Sequence, residues 1–238
     1  MEDNPSLSPE IRQRYARLYS GVFFRRFVLG QWVAAEGRIY DFFDAAAAPP
    51  PPEGPFRQWY ISCDYGTVNP ASFGLWGLKD GIWYRMKEFY FDSRREMRQM
   101  TDAEYAEALR KLAGGRPITA VIVDPSAASF IELLRREGWN VRRADNDVLS
   151  GIRHTSDLLK AGKLVICDTC ADCLREMEQY VWDVKAGKDA VKKEHDHAMD
   201  DMRYFVSTAL CRSGAPVVAR SVRRAQAGNA QGVLEQYF

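Results

Sequence analysis

From Trp59 onward the chain sets short apolar runs between turn-forming residues, and this spacing predicts strands. QWYISCD (58–64) is the first, and ASFGLWGLKDGIWYRMKEFYFD holds two more, joined by a turn at Lys79, Asp80 and Gly81. Residues 101–113 (TDAEYAEALRKLA) change to helical spacing. Thr101 with Glu104 predicts a capping box, and Gly114 and Gly115 end the helix. ITAVIVD (118–124) is a continuous apolar run of the kind buried on both faces of a sheet. Beyond it the pattern gives a helix over 127–137, a strand at 139–144, a helix over 147–161 and a short strand, LVI, at 164–166. A helix from about 168 to 179, a lysine-rich loop and a last helix over 196–211 follow. Three antiparallel strands extended by parallel ones and flanked by helices make this an α/β fold with a mixed β-sheet.

The chain before Trp59 has a different texture. Residues 10–30 show helical spacing through Tyr15, Leu18, Val22 and Phe23 and carry five arginines against one acid, which predicts a basic helical arm. Four consecutive prolines, Pro49 to Pro52, prevent a helix from continuing. The expected organisation is an arm and linker over 1–48, a Pro-rich linker over 49–56, the α/β domain over 57–212 and a mobile tail over 213–238.

Composition adds exclusions. With 46% apolar and 27% charged residues the chain is expected to fold, which rules out a disordered or fibrous class. Basic and acidic residues nearly cancel, 33 against 32, so it is not a supercharged nucleic-acid tail, although local basic patches are allowed. Five cysteines, three of them crowded at Cys167, Cys170 and Cys173, suit free thiols in a reducing compartment better than a disulfide framework. No apolar run approaches 18 residues and no signal peptide is legible, so the expectation is a soluble intracellular protein with no membrane partner.

Candidate chemistry lies in the acids. Asp64 ends the first strand and Asp124 ends the buried one, where α/β sheets present ligand sites, although Asp is also a common turn former and helix cap. The third element is DHAMDDMRYF. Ala198, Met199, Met202, Phe205, Val206 and Ala209 form one apolar stripe of its helix, with Asp196, His197, Asp200, Asp201, Arg203 and Tyr204 on the other face. Four acids and two histidines within 194–201 exceed what capping requires, and a bound cation would relieve their repulsion. The helical wheel leaves Asp200 and Asp201 equally open. Carboxylates converging from separate elements suit phosphodiester hydrolysis, which uses two Mg²⁺ or Mn²⁺ ions about 4 Å apart, one activating water and one stabilising the leaving oxygen.

The order of a strand Asp in DYG, a strand Asp in VDPS and a closing DHAMDDMRY resembles the RNase H-like nuclease domain of large terminase subunits, which cut viral DNA during genome packaging in tailed bacteriophages. EGRIYDFF, NDVLSGIRHTSDLLKAGKLVI and EMEQYVWD add to the likeness, which covers roughly residues 20–211. The resemblance implies an RNase H-like fold over 57–212, a metal triad of Asp64, Asp124 and Asp200 with Asp64 bridging both ions, and His197 assisting nearby. It also implies double-stranded DNA as substrate, a packaging ATPase half, a portal and a small terminase subunit as partners, and the cytoplasm of the infected bacterium as setting. No GxxxxGK[ST] loop is present, so translocation by this chain alone is not expected, and residues 10–45 look like the end of an ATPase half and its linker.

Lesser features carry weaker expectations. Lys185, Lys188, Lys192 and Lys193 lie just before the acidic helix, where they either draw phosphates to the metals or form a solvated loop. The doublets at Arg94, Arg135 and Arg142 resemble them. Glu88 is expected as an exposed strand residue, with a fourth ligand as the alternative, and Asp183 as a turn residue. The strand aromatics are assigned to the core. Two other functions stay open: a DNA- or portal-docking module whose acids act only with a partner, and another RNase H-like enzyme such as a resolvase.

Overall fold

Residues 8, 10, 24–31, 36–186 and 189–211 are described by the structure, a computed structural model. Most of the expected basic arm, including Tyr15, Leu18, Val22 and Phe23, lies outside the described residues, as do Lys188 and the tail 213–238.

Among the described residues six strands form one mixed sheet: β1 (Gln58–Asp64), β2 (Ala71–Lys79), β3 (Ile82–Phe91), β4 (Ile118–Val123), β5 (Val141–Arg143) and β6 (Leu164–Ile166), in the order β5-β4-β1-β2-β3-β6. β1, β2 and β3 pair antiparallel, whereas β4 joins β1, β5 joins β4 and β6 joins β3 in parallel. Asp80 and Gly81 both take positive φ between β2 and β3, the two-residue turn whose twist suits a hairpin. The helices are α1 (Asp102–Ala113), α2 (Ala128–Arg136), α3 (Val148–Lys160), α4 (Ala171–Gln179) and α5 (His197–Phe205), and α5 runs on into a π-helical stretch, Val206–Cys211. The capping box of α1 forms as its sequence predicts, with Thr101 and Glu104 satisfying each other's backbone amides.

Alternation along the strands divides the core in two. Trp59, Ile61 and Cys63 of β1 and Val121 and Val123 of β4 pack with Tyr105, Leu109 and Phe130 of α1 and α2. Tyr60 of β1 and Ala120 and Ile122 of β4 pack on the other face with α3, α4 and α5. Side chains two apart share a face, so Asp64 and Asp124, which keep the parity of Tyr60 and Ile122, belong to the side where α5 lies.

The helix that the sequence marks as amphipathic is buried all round: Asp200, Asp201, Arg203 and Tyr204 are buried along with Met199, Met202 and Phe205. The polar face that a wheel assigns to solvent is taken up by contacts with β1, β2 and β4. Trp76 stacks on Phe205 at 4.4 Å between ring centroids, one of the contacts that seat α5 on the sheet. Residues 36–44 close the same core. Ile39 donates its amide to the Tyr180 carbonyl at 2.9 Å, and Tyr40 is buried against Tyr180.

Cys63, Cys167, Cys170 and Cys173 are buried free thiols, and Cys211 is an exposed one. Glu88 differs from its expected exposure. Its carboxylate accepts the amides of Asp172 and Cys173 at 2.7 and 3.2 Å, capping α4, whose own N-cap Cys170 makes no side-chain cap. Among the described residues no helix is long and apolar enough to cross a membrane.

Candidate active site

The C-terminal ends of β1 and β4 and the first two turns of α5 open onto one cleft of about 950 Å³, whose lining includes Asp64, Asp124, His197, Asp200, Arg203 and Tyr204. Asp64 closes β1, and its Oδ2 lies 2.9 Å from Nδ1 of His197. Burial pushes the Asp64 carboxyl up to about 7, and the charge of Asp200 adds to the rise against the pull of His197. Burial opposes the charged form of His197, but the hydrogen bond and charge of Asp64 outweigh it and hold the imidazole above its usual range. Asp124 lies one residue past β4. Its Oδ1 accepts the Ser126 amide at 2.8 Å, and its Oδ2 accepts the Tyr204 hydroxyl at 3.0 Å.

Asp200 stands one turn into α5. Arg203 donates from Nη2 to its Oδ1 at 2.9 Å, and the Lys193 ammonium lies 3.4 Å from its Oδ2 and 3.2 Å from Asp196. Burial raises the Tyr204 phenol, and the charges of Asp64, Asp200 and Asp124 all add to that rise, so the three carboxylates share one electrostatic neighbourhood. Among the described residues, no three acidic or imidazole groups converge as they stand on a point that would hold an ion. Each carboxylate is turned instead to a protein donor. The donor chemistry nevertheless fits a hard divalent cation: oxygens from three elements, one of them driven toward protonation by burial, and a lysine ammonium already seated among the acids.

Of the four lysines, Lys193 lines the cleft and Lys185 and Lys192 do not, Lys192 being paired with Glu194 at 2.7 Å. Asp183 accepts the Lys185 amide at 3.0 Å as a turn residue. Arg94 and Arg95 reach the cleft as well.

Two features beside the site escape sequence reasoning. Asp201, fully buried, accepts hydrogen bonds from Ser62, Ser72 and both terminal nitrogens of Arg85, itself fully buried and packed over Trp76. Burial alone would lower the Arg85 pKa, but the charge and hydrogen bonds of Asp201, with the charge of Glu88 among the rest, together outweigh it and keep the guanidinium charged. The signal was present in β2, where Ser72 and Gly74 interrupt a buried strand. A Cβ on Gly74 would stand 2.3 Å from Nη1 of Arg85, so the glycine makes room for the guanidinium. The second feature is Glu176, whose buried carboxylate accepts the Ala198 amide at 2.6 Å and the Tyr90 hydroxyl at 2.6 Å, tying the first turn of α5 to β3.

Comparison with known proteins places this geometry. The family described as the terminase RNaseH-like domain matches residues 66–209, which begins just after Asp64. The large terminase of a thermophilic bacteriophage, solved in complex with ADP, is 49% identical and superposes with a TM-score of 0.82 over 88% of this chain and 54% of that one. The large terminase subunit of Escherichia phage T5 is 23% identical over 220 residues, 86% of this chain and 49% of the T5 protein. The chain thus spans about half the length of these relatives. The large terminase nuclease of the thermophilic phage G20c, crystallised with bound magnesium, shares the fold at 14% identity and a TM-score of 0.57, over 72% of this chain and 97% of that one. With its mixed sheet, its flanking helices and a family match over more than half its length, the chain belongs to the large terminase family and holds its RNase H-like domain.

Proposed function

We propose that this chain is a divalent-metal-dependent endonuclease that cuts double-stranded viral DNA during genome packaging, with residues 57–212 as the nuclease domain. The observation that carries the reading is the lining of one cleft by Asp64, Asp124 and Asp200, brought from two strand ends and a buried helix. The magnesium bound by the G20c nuclease supports it. Two Mg²⁺ or Mn²⁺ ions, when bound, supply an activated water and charge stabilisation of the leaving 3′ oxygen.

The chain's own residues do the rest. Asp64, Asp124 and Asp200 offer the oxygen ligands, Tyr204 orients Asp124 through its hydroxyl, and Arg203 holds Asp200 from Nη2. His197 fixes Asp64, whose hydrogen bond and charge favour the protonated imidazole against its burial. Lys193, the loop lysine that lines the cleft, draws phosphates toward the acids without reading bases. In this reading a packaging ATPase half, a portal and a small terminase subunit are its partners in the cytoplasm of the infected host.

The test is cleavage of supercoiled plasmid with Mg²⁺, Mn²⁺ or EDTA, run beside Asp64→Asn and Asp200→Asn, with the fold of each variant checked by circular dichroism. Cutting that needs a divalent ion and disappears in both folded variants is the expected result. Variants that cut as well as the parent, or a parent that cuts under no condition, would overturn the reading in favour of a docking module.

A further inference from the structure

The basic residues singled out in the sequence as phosphate contacts sit before α5, yet the cationic groups best placed and least committed lie on the other side of the site. The register aligns Asp64 of β1 with Ser72 of β2, and Ser72 with Tyr90 of β3. At about 4.8 Å per strand, the end of β3 is therefore about 10 Å across the sheet from Asp64. The chain leaves β3 there into a loop, 92–101, that carries Arg94 and Arg95 into the lining of the carboxylate cleft.

That loop is built to present them. Asp92 Oδ1 accepts the amides of Arg94 and Arg95 at 3.0 and 3.3 Å, and the Asp92 carbonyl accepts the Glu96 amide at 2.9 Å. The buried Ser93 hydroxyl donates to the Thr67 carbonyl at 2.9 Å, fastening the loop to the one that follows Asp64.

The arginines differ in what they already bind. Arg98 is engaged by Glu104 at 3.0 Å and lies over Phe91, and Arg175, which also reaches the cleft, is engaged by Asp172 at 3.0 Å. Lys193 is held between Asp196 and Asp200. Arg94, by contrast, donates from Nη2 to the neutral amide oxygen of Asn69 at 3.2 Å, which orients the guanidinium without cancelling its charge. Among the described residues, the Arg95 guanidinium has only a long, exposed contact of 3.4 Å with its neighbour Glu96, of a kind worth little.

We propose that Arg94, oriented by Asn69, and Arg95 form a phosphate-gripping lip that binds the duplex backbone about two strands from the carboxylates. The proposal rests on the nuclease reading and gives the cleft its substrate register. A guanidinium fork suits phosphate oxygens and is indifferent to base identity, so the lip positions the duplex and specifies no sequence.

The experiment measures binding of a fluorescent 20-base-pair duplex in EDTA by anisotropy across a KCl series, for the full chain, Arg94→Ala, Arg94→Ala/Arg95→Ala and Arg136→Ala. Arg136 is the charge-matched control, exposed on α2 and paired with Glu132. Each phosphate contact contributes about 0.9 to the slope of log K against log salt. The slope is expected to fall by about 0.9 in the single variant and about 1.8 in the double, and to stay unchanged in Arg136→Ala. In plasmid cleavage with Mn²⁺, the double variant is expected to raise KM with little change in kcat. A folded double variant with the parent's slope, beside a parent that still cuts plasmid, overturns the lip and leaves the nuclease reading standing. A parent that binds no duplex and cuts no plasmid overturns both.

Discussion

Asp200 and Asp201 are neighbours on one helix, and the fold treats them in opposite ways. Asp201 turns under the sheet, where Arg85, Ser62 and Ser72 fill its hydrogen-bonding capacity and exclude water. Asp200 turns about 100° away into a cleft that it shares with Asp64 and Asp124, and its partners are Arg203 and the exposed Lys193. One carboxylate is neutralised for good by the protein's own cation. The other shares its cleft with two further carboxylates, and burial, with the charge of Asp200 adding to it, lifts the Asp64 carboxyl to about 7. A buried ion pair costs several kcal/mol in desolvation per ion, which the mutual attraction repays only with good geometry. Here that geometry is the seating of α5 on β1, β2 and β3, which sets the height of Asp200 against the strand ends.

The largest effect that would break this contrast is loss of a cleft acid. Asp64→Asn and Asp200→Asn are expected to lower plasmid cleavage by about 10³-fold, the equivalent of about 4 kcal/mol of transition-state stabilisation. A second readout separates ligation from folding. Mg²⁺ or Mn²⁺ should raise the parent's Tm, by about 2.7 kcal/mol of stability at a hundredfold excess over Kd, and should do so far less in either variant. An equal rise in all three proteins would show that these carboxylates hold no ion.

The same two readouts should come out inverted on the other side of the helix. Arg85→Met or Asp201→Leu leaves a buried charge without its partner and is expected to cost about 3–5 kcal/mol in denaturant unfolding. The double variant, with both charges gone, should lose less than the sum of the two. Where the variants stay folded, the metal-induced rise in Tm should persist. If it vanishes in the folded double variant, Asp201 belongs to the metal cluster and the division between the two acids is wrong.

How much of this was legible in the sequence depends on how local the signal is. The strand end at Asp64, the hairpin at Asp80 and Gly81 and the Thr101–Glu104 box are set by residues close in sequence and appear as read, while Asp124 falls one residue past its strand. The polar face of α5 is different. Periodicity reports polarity, and it equates polarity with exposure unless a distant partner is known. Arg85 lies 116 positions from Asp201, in a strand whose alternation gives no reason to single it out. The same holds for Glu88, which caps a helix 84 positions away because Cys170 supplies no cap of its own. Sequence could not choose between Asp200 and Asp201 on bottom-up grounds, since the choice depends on which strand carries the arginine.

A smaller effect tests how Asp200 is held. Gly151 of α3 faces Arg203, and a Cβ there would stand 2.2 Å from its Cγ and 2.6 Å from its Cδ. Those atoms are in the middle of a buried side chain, and Nε and Nη1 of Arg203 have no hydrogen-bond partner among the described residues, so the guanidinium is steadied through Nη2 and Asp200. Gly151→Ala is expected to cost about 1–3 kcal/mol by overpacking. It should also lower kcat for plasmid cleavage, since Arg203 cannot move without Asp200. Stability lost with kcat intact would mean that Arg203 supports the core and not the carboxylate.

The smallest effect concerns Tyr204, which is buried on α5 and donates to Asp124 at 3.0 Å. Unlike Arg85, it is a neutral donor, so its loss leaves no orphaned charge in the protein, only a carboxylate with one donor fewer in a cleft that water reaches. Tyr204→Phe keeps the ring and its packing, and should cost about 1 kcal/mol of stability, the value of a single hydrogen bond. If the cleft acids are held loosely and await an external cation, added Mn²⁺ should take over the freed Asp124 oxygen and bring cleavage back toward the parent's rate. No such recovery is available to Arg85→Met, where the defect lies in dry core. A Tyr204→Phe deficit that Mn²⁺ does not relieve would instead place the Tyr204–Asp124 contact with the Arg85–Asp201 pair, as a fixed part of the fold.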